Sequence, residues 1–296
     1  MSAMSAIAAT PSTARTIAFT VLAMLAFAAN SLLCRLALQQ QSIDAASFGS
    51  VRLLSGALVL WAIVRWRADP AINARSDLLA AAMVWVYVAA FSFAYITLPA
   101  GSGALILFGA VQLTMFTAGL ATGERFTLLA WGGFVLAVGG LLYLVSPGLA
   151  APPLLGTLLM AAAGIAWGVY SLRGRGAGDP VTATAGNFMR AAPLALMVSA
   201  LSFAFVGAPH ANASGVTLAI ASGAITSGLG YVIWYAALPQ LTSLRAATVQ
   251  LSVPPLAALG GVVLLSEALS MRLILASAAI LGGIALVLAS RARGKP

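Results

Sequence analysis

Phe91-Ser92-Phe93-Ala94-Tyr95-Ile96-Thr97-Leu98-Pro99, followed by an apolar run to Gly123-Glu124, decides the fold, because a degraded second copy begins at Tyr231. Tyr95, Leu98 and Pro99 recur as Tyr235, Leu238 and Pro239, 140 residues later. Glu124 recurs as Glu267, and Gly139-Gly140 as Gly282-Gly283, at an offset of 143. Upstream, Arg35 and Arg52 recur as Arg173 and Arg190 at an offset of 138. Offsets that drift by only a few residues describe one unit of about 140 residues used twice, with small loop insertions.

Working outward, the composition says what solvent this unit folds in. The 296 residues are 61% hydrophobic and only 7% charged, with a mean hydropathy of +1.03. Too few charges exist to coat a water-facing surface, so the surrounding medium is lipid. Fifteen Lys plus Arg against six acids give +9. The basic residues stand at the ends of apolar runs rather than on one polar face, which reads as topology signal and headgroup contact, not as a nucleic-acid footprint. A single cysteine, Cys34, excludes an intramolecular disulfide and a thiolate metal cluster.

Ten runs are long enough to cross a bilayer: 17–34, 48–64, 78–98, 100–121, 128–146, 154–172, 182–206, 216–238, 241–266 and 273–290. Lipid offers the backbone no partners, so each run is expected to be helical. The predicted fold is all-α and integral to the membrane, with ten transmembrane helices as a 5+5 inverted-topology repeat. Residues 1–15 are expected to be a disordered N-terminus, 16–147 the first repeat, 154–291 the second, and 292–296 a tail. Phe27-Ala28-Ala29 resembles a signal-peptide cleavage site, but pairing of the first run with an internal copy argues for a retained span. Five helices per unit is an odd number, so the second copy enters from the opposite side. With the N-terminus inside, ten basic residues (Arg15, Arg65, Arg67, Arg75, Arg125, Arg173, Arg175, Arg291, Arg293, Lys295) fall on the cytoplasmic side and three (Arg35, Arg52, Arg272) on the other. Both termini are therefore expected in the cytoplasm.

Chemistry has few candidates. None of the acids lies deep in a run, no paired aspartates could hold magnesium, and the single histidine, His210, is in a loop. No catalytic residue, cofactor or metal is expected. A transport site is better supplied. Asn30, Ser31, Gln112, Thr114, Ser227 and Gln250 are polar at mid-run, where a primary amide is costly unless it faces protein or a wet cavity. Aromatics recur at helical spacing: Tyr87, Phe91 and Tyr95; Trp167 and Tyr170; Tyr231, Trp234 and Tyr235. Packing or interface belts would explain many such rings, and cavity lining the rest. Arg245 lacks a basic counterpart, its equivalent being Leu105, and could receive a substrate carboxylate or set orientation. The four matched arginines read as snorkelling residues near helix ends, and Glu124 and Glu267 as openers of the fifth and tenth helices. Pro254-Pro255 should kink or unwind the ninth helix and give it a gating role. Gly133 with Gly140 and Ala276 with Gly283 suggest that the fifth and tenth helices brace their own halves.

The five-plus-five plan, Phe48-Gly49-Ser50-Val51-Arg52-Leu53-Leu54, Gly186-Asn187-Phe188-Met189-Arg190, and the Gly123-Glu124 and Ser266-Glu267 junctions resemble the drug/metabolite transporter superfamily. Within it the chain resembles EamA-type ten-helix exporters, including the YddG-type amino-acid exporters. That resemblance implies export of metabolites, amino acids among them, through a cavity formed by the first, third and fourth helices and their repeat partners. The fourth helix departs from an aromatic carrier's pattern, with Phe108 and Phe116 but no Tyr or Trp over 104–120. The expectation is an inner-membrane, monomeric exporter of small metabolites, most readily amino acids, working by alternating access and facilitated diffusion. Its partners would be a small-molecule solute and the bilayer, without nucleic acid. A proton-coupled drug carrier, a sugar-phosphate or nucleotide-sugar carrier, a membrane-embedded enzyme and a channel are the alternatives. Multiply charged phosphates would want several buried cations, and none is evident at mid-run.

Overall fold

The computed structural model describes residues 13–67, 77–148, 151–174, 178–205, 207–241 and 243–293. Residues 1–12 and 294–296, and Arg75, Arg175 and Lys295 of the orientation argument, lie outside them. Ten helical elements follow in order: α1 (Thr13–Gln39), α2 (Ala45–Trp66), α3 (Leu78–Ala94), α4 (Ala100–Ala121), α5 (Leu128–Val145), α6 (Leu154–Arg173), α7 (Pro180–Phe205), α8 (Ala213–Gln240), α9 in two arms (Ser243–Gln250 and Val253–Leu265) and α10 (Met271–Arg293). Among the described residues nine are long and apolar enough to span a bilayer, and α3 is a shorter apolar helix. Large apolar side chains face outward, among them Trp66, Leu128 and Phe205, as a lipid-facing surface requires.

The scarce polar residues end these helices. Asp44 accepts from the Ser47 N–H, Asp77 from Leu79 and Ala80, Asp179 from Val181 and Thr182, and Asn212 from Gly215. Each satisfies donors that a helix start leaves unpaired. Helix α3 stops at Ala94, short of the expected Leu98, because the residue before Pro99 is pushed out of helical geometry. Unwinding of α9 takes the form of a break at Leu251 and Ser252. Pro254 and Pro255 then stand in the first turn of the second arm, where a missing N–H costs no hydrogen bond.

Two structural expectations are corrected. Glu124 and Glu267 do not open α5 and α10, which start at Leu128 and Met271. Both instead fold back in the same way, the Glu124 N–H onto the Gly119 carbonyl at 2.9 Å and the Glu267 N–H onto Gly261 at 3.0 Å. The Glu267 carboxylate then serves a different helix, accepting the Ala100 N–H at the start of α4 at 2.8 Å. Helices α5 and α10 do not brace separate halves either; they pack on each other. A Cβ built on Gly283 would lie 2.4 Å from the Gly133 carbonyl oxygen, and one on Gly133 would lie 2.5 Å from the Gly283 oxygen. Backbone cannot rotate aside, so Gly283→Ala should force the pair apart and cost about 1–2 kcal/mol, measurable as a lowered Tm in detergent.

Helix α2 packs on α7, α3 on α6 and α7, α1 on α8 and α9, and α4 on α6 and α9. This leaves a central space bounded mainly by α1, α3, α4, α6, α7, α8 and α9.

Candidate functional site

That space is a cavity of about 1020 Å³. Ten of the twelve substrate-site residues read from the sequence border it: Asn30, Tyr87, Phe91, Gln112, Trp167, Tyr170, Tyr231, Trp234, Tyr235 and Gln250. Two do not. Tyr95 is fully buried behind Phe91, with its hydroxyl donated to the Ala100 carbonyl at 3.3 Å. Arg245 is exposed on the outer side of α9 and away from the cavity wall, so the helix face, not the residue type, removes it. Pro254 and Pro255 also lie off the wall.

The aromatic lining is one connected surface. Trp167 stacks on Tyr231 with ring centroids 5.4 Å apart and meets Tyr87 at 4.9 Å, while Phe27 touches Tyr231 and Trp234. Tyr170 donates to Thr184 at 3.1 Å, and the Thr184 and Tyr235 hydroxyls share a bond of 3.2 Å. Helix α7 contributes Asn187 and Arg190 to the wall, neither of which was expected there.

A second polar cluster lies where α1, α2, α3 and α8 meet. Asn30 Oδ1 accepts from the Ser222 hydroxyl at 2.7 Å and from Thr226 at 3.3 Å, and its Nδ2 donates to the Tyr87 hydroxyl at 3.3 Å. Arg52 donates from Nη2 to the same Tyr87 oxygen at 3.0 Å and from Nε to Ser227 Oγ at 3.3 Å. Its guanidinium also lies over the Tyr87 and Phe91 rings, 5.1 and 4.8 Å from their centroids. Arg52 is 0% exposed. The snorkelling reading is therefore wrong for it: α2 begins at Ala45, three residues earlier than expected, which seats Arg52 two turns inside the bundle.

Ser222, Thr226 and Ser227 share one face because Ala221–Leu229 winds as a π-helix, whose wider turn brings residues four and five apart into line. Nothing in the sequence pattern marks this. The segment also runs close to α2, since a Cβ on Gly223 would lie 2.1 Å from the Arg52 carbonyl oxygen. Gly223→Ala should push α8 off α2 and lower stability by about 1–2 kcal/mol, again as a fall in Tm.

The cavity is one-sided. Its lining takes the later halves of α4, α6 and α8, the earlier halves of α7 and α9 and most of the length of α3 from Ala80 to Phe91, reaching Asp77, Arg173, Pro180 and Leu241 at the helix ends. At this mouth Arg173 donates to Asp77. That hydrogen bond holds the Asp77 carboxyl below the usual carboxylate range. What the pair adds is present above the ordinary carboxylate pKa and is lost only as pH falls through the lowered one, so the mouth does not titrate near neutrality.

The opposite end is tied shut. Arg35 donates from Nε to Glu267 at 3.1 Å and from Nη1 to the carbonyls of Tyr95 and Ile96 at 3.1 and 3.0 Å. Beside it, Asp44 N–H donates to the His210 carbonyl at 3.0 Å, Asn212 N–H to Ser42 at 2.9 Å, and an isolated antiparallel bridge joins Ile43 to Ala211. Arg35 and Arg173 are thus ion-paired rather than snorkelling. Among the described residues no three of His, Cys, Asp and Glu come together to hold a metal ion.

An all-helical chain with apolar outer faces and an axial, one-sided polar cavity is a multi-pass membrane protein. Residues 154–289 match the EamA-like transporter family. A Pseudomonas aeruginosa (strain PAO1) protein named as the uncharacterized protein PA1977 is 56% identical over 277 residues, covering 94% of this chain and 96% of its own. A solved crystal structure, described only as that of a protein, covers 96% of this chain and 100% of its own with a TM-score of 0.65 at 20% identity, a likeness of fold. The chain belongs to the EamA-like transporter family of the drug/metabolite transporter superfamily.

Proposed function

We propose that the protein exports small amphipathic metabolites, amino acids foremost, from the cytoplasm across the bacterial inner membrane, as a monomer working by alternating access. The carrying observation is the cavity: about 1020 Å³, lined by aromatic and hydrogen-bonding side chains, open at one end and tied at the other. Space of that size accommodates a solute with an apolar body and a few polar groups.

Helix pairing supports two inverted halves. Helices α2 and α7 pair together, as do α5 and α10, and the α3 and α6 pairing is echoed by α8 and α1. Helices five places apart also run oppositely with respect to the mouth: α3 starts there and α8 ends there, α4 ends there and α9 starts there. In such a frame the tie between Arg35 and Glu267 has a counterpart in Arg173 and Glu124, the residues 138 later and 143 earlier. Exchange of one tie for the other would close the mouth and open the far end, which is alternating access in terms of named groups. In this reading the mouth faces the cytoplasm and both termini lie on that side.

Passive transport is the coupling this site suits. Asp77 is the cavity's carboxylate among the described residues, and it sits at the mouth, held ionised by Arg173. No group along the wall is placed to load a proton near neutral pH. Purified protein in proteoliposomes loaded with unlabelled amino acids should accumulate the matching labelled one transiently, whereas a pH gradient alone should concentrate nothing. Absence of counterflow across a panel of amino acids would sink the substrate assignment; concentration driven by the pH gradient alone would sink the passive mode.

A further inference from the structure

We propose that Asn30, Tyr87 and Ser227, backed by Arg52, form an anion-accepting subsite that selects solutes carrying a carboxylate beside an apolar group. The inference rests on reading the cavity as the transport site and adds to it the chemistry of what binds.

Proton accounting at the cluster carries it. The Tyr87 hydroxyl already accepts two N–H groups, from Arg52 Nη2 at 3.0 Å and Asn30 Nδ2 at 3.3 Å, so its own proton has to be donated elsewhere. Tyr87 borders the cavity. Ser227 Oγ accepts from Arg52 Nε and also borders the cavity, with its hydroxyl proton still to give. Asn30 Oδ1 accepts from the Ser222 hydroxyl at 2.7 Å, the Thr226 hydroxyl beside it is donated to the Ser222 carbonyl at 2.8 Å, and the Asn30 amide keeps a second N–H beyond the one given to Tyr87. Three neighbouring groups therefore each have a donor to present, and the charge behind them is the cation of Arg52. A carboxylate oxygen answers such a patch, and an ammonium does not.

Charge points the same way. Arg52 is fully buried, no carboxylate bonds it, and its Nη1 has no hydrogen-bond partner. Among the described residues the acids are placed elsewhere: Asp44 beside His210, Asp77 on Arg173, Asp179 capping α7, and Glu267 on Arg35. Glu124 lies over Gly119 of α4. A guanidinium in a low-dielectric wall without a counter-ion projects positive potential into the space beside it. It also strengthens the Tyr87 and Ser227 hydroxyls as donors, because each gives up lone-pair density to a cation. The rings of Phe27, Phe91 and Trp167 meet the rest of the solute.

Trp167 and Trp234 border the cavity, so intrinsic fluorescence reports binding to the full-length purified protein. Two matched pairs would be titrated: 3-phenylpropanoate against 3-phenylpropanamide, and phenylalanine against phenylalaninamide. Each carboxylate should bind at least about tenfold more tightly than its amide. Tyr87→Phe, which keeps the ring under Arg52, and Ser227→Ala should each reduce that ratio to within about threefold. Variants would first be checked for wild-type Tm and a monodisperse elution. Equal or tighter amide binding, no carboxylate binding, or an unchanged ratio in both Tyr87→Phe and Ser227→Ala overturns the subsite. So does loss of the ratio through Arg190→Gln alone, which would assign the anion to that wall residue. Counterflow of the amides but not the carboxylates would overturn the subsite and leave transport standing. A carboxylate preference abolished by Tyr87→Phe in a protein that moves no solute would support the subsite and remove the transport reading.

Discussion

Replacing Glu267 by glutamine should release the tied end of the bundle and expose Cys34, raising its rate of alkylation by a maleimide roughly 30- to 150-fold. Cys34 is the chain's one cysteine, 0% exposed, and it precedes Arg35 on α1. The Arg35 and Glu267 side chains keep only 15% and 11% of their exposure. Removing one member of a largely buried pair strands the other charge, at about 3–5 kcal/mol for full burial. The residual exposure here reduces that to roughly 2–3 kcal/mol, which as a population shift gives the factor above. Glutamine can still accept the Ala100 N–H, so the start of α4 remains capped and the loss is confined to the ion pair. The charge-swapped double variant Arg35→Glu with Glu267→Arg should not restore protection. Arg35 also donates to the Tyr95 and Ile96 carbonyls, which a glutamate cannot do, and arginine cannot accept from Ala100. Cys34 labelling that stays at the parental rate in Glu267→Gln would show that the pair does not hold this end closed.

Arg52→Met should reduce carboxylate affinity and flux at least about thirtyfold while moving folding stability by no more than about 2 kcal/mol in either direction. The small stability effect follows from terms of similar size. Keeping an unneutralised guanidinium out of water costs several kcal/mol. Its two hydrogen bonds offset about 1.5–3 kcal/mol each, and its two aromatic contacts up to about 2 kcal/mol each. Methionine nearly fills the vacated volume and is tolerant of shape. A residue that changes stability little yet governs affinity is held for its charge, and that separation is the measurable content of the prediction. Loss of the folded protein in Arg52→Met would instead make the guanidinium a strut between α2, α3 and α8. Full carboxylate flux in a folded Arg52→Met protein would remove it from recognition.

Most of the aromatic wall is legible in the sequence. Tyr87 and Phe91, Trp167 and Tyr170, Tyr231 and Tyr235 lie at helical spacing, so each group necessarily shares a face, and rings with polar tips at mid-depth need partners. Tyr95 failed the same rule because α3 ends at Ala94, one residue before it, and the turn carries its ring behind the wall. Arg245 failed because spacing says which residues share a face but not where that face points. Arg52 was misplaced by a shift of only three residues in a helix start, a small error that in a membrane separates a headgroup contact from a buried charge.

By itself the sequence determined the medium, the helical class and the aromatic character of the interior. Each follows from local or additive quantities: hydropathy over a span and the 3.6-residue period. Tertiary structure alone decided which end is tied, that Glu267 serves α4 and Arg35 rather than its own following helix, and that a π-helical turn gathers Ser222, Thr226 and Ser227 around Asn30 and Arg52. Those outcomes depend on residues separated by up to 232 positions meeting at a few ångströms. No periodicity within one helix encodes the rotation and depth at which it meets another.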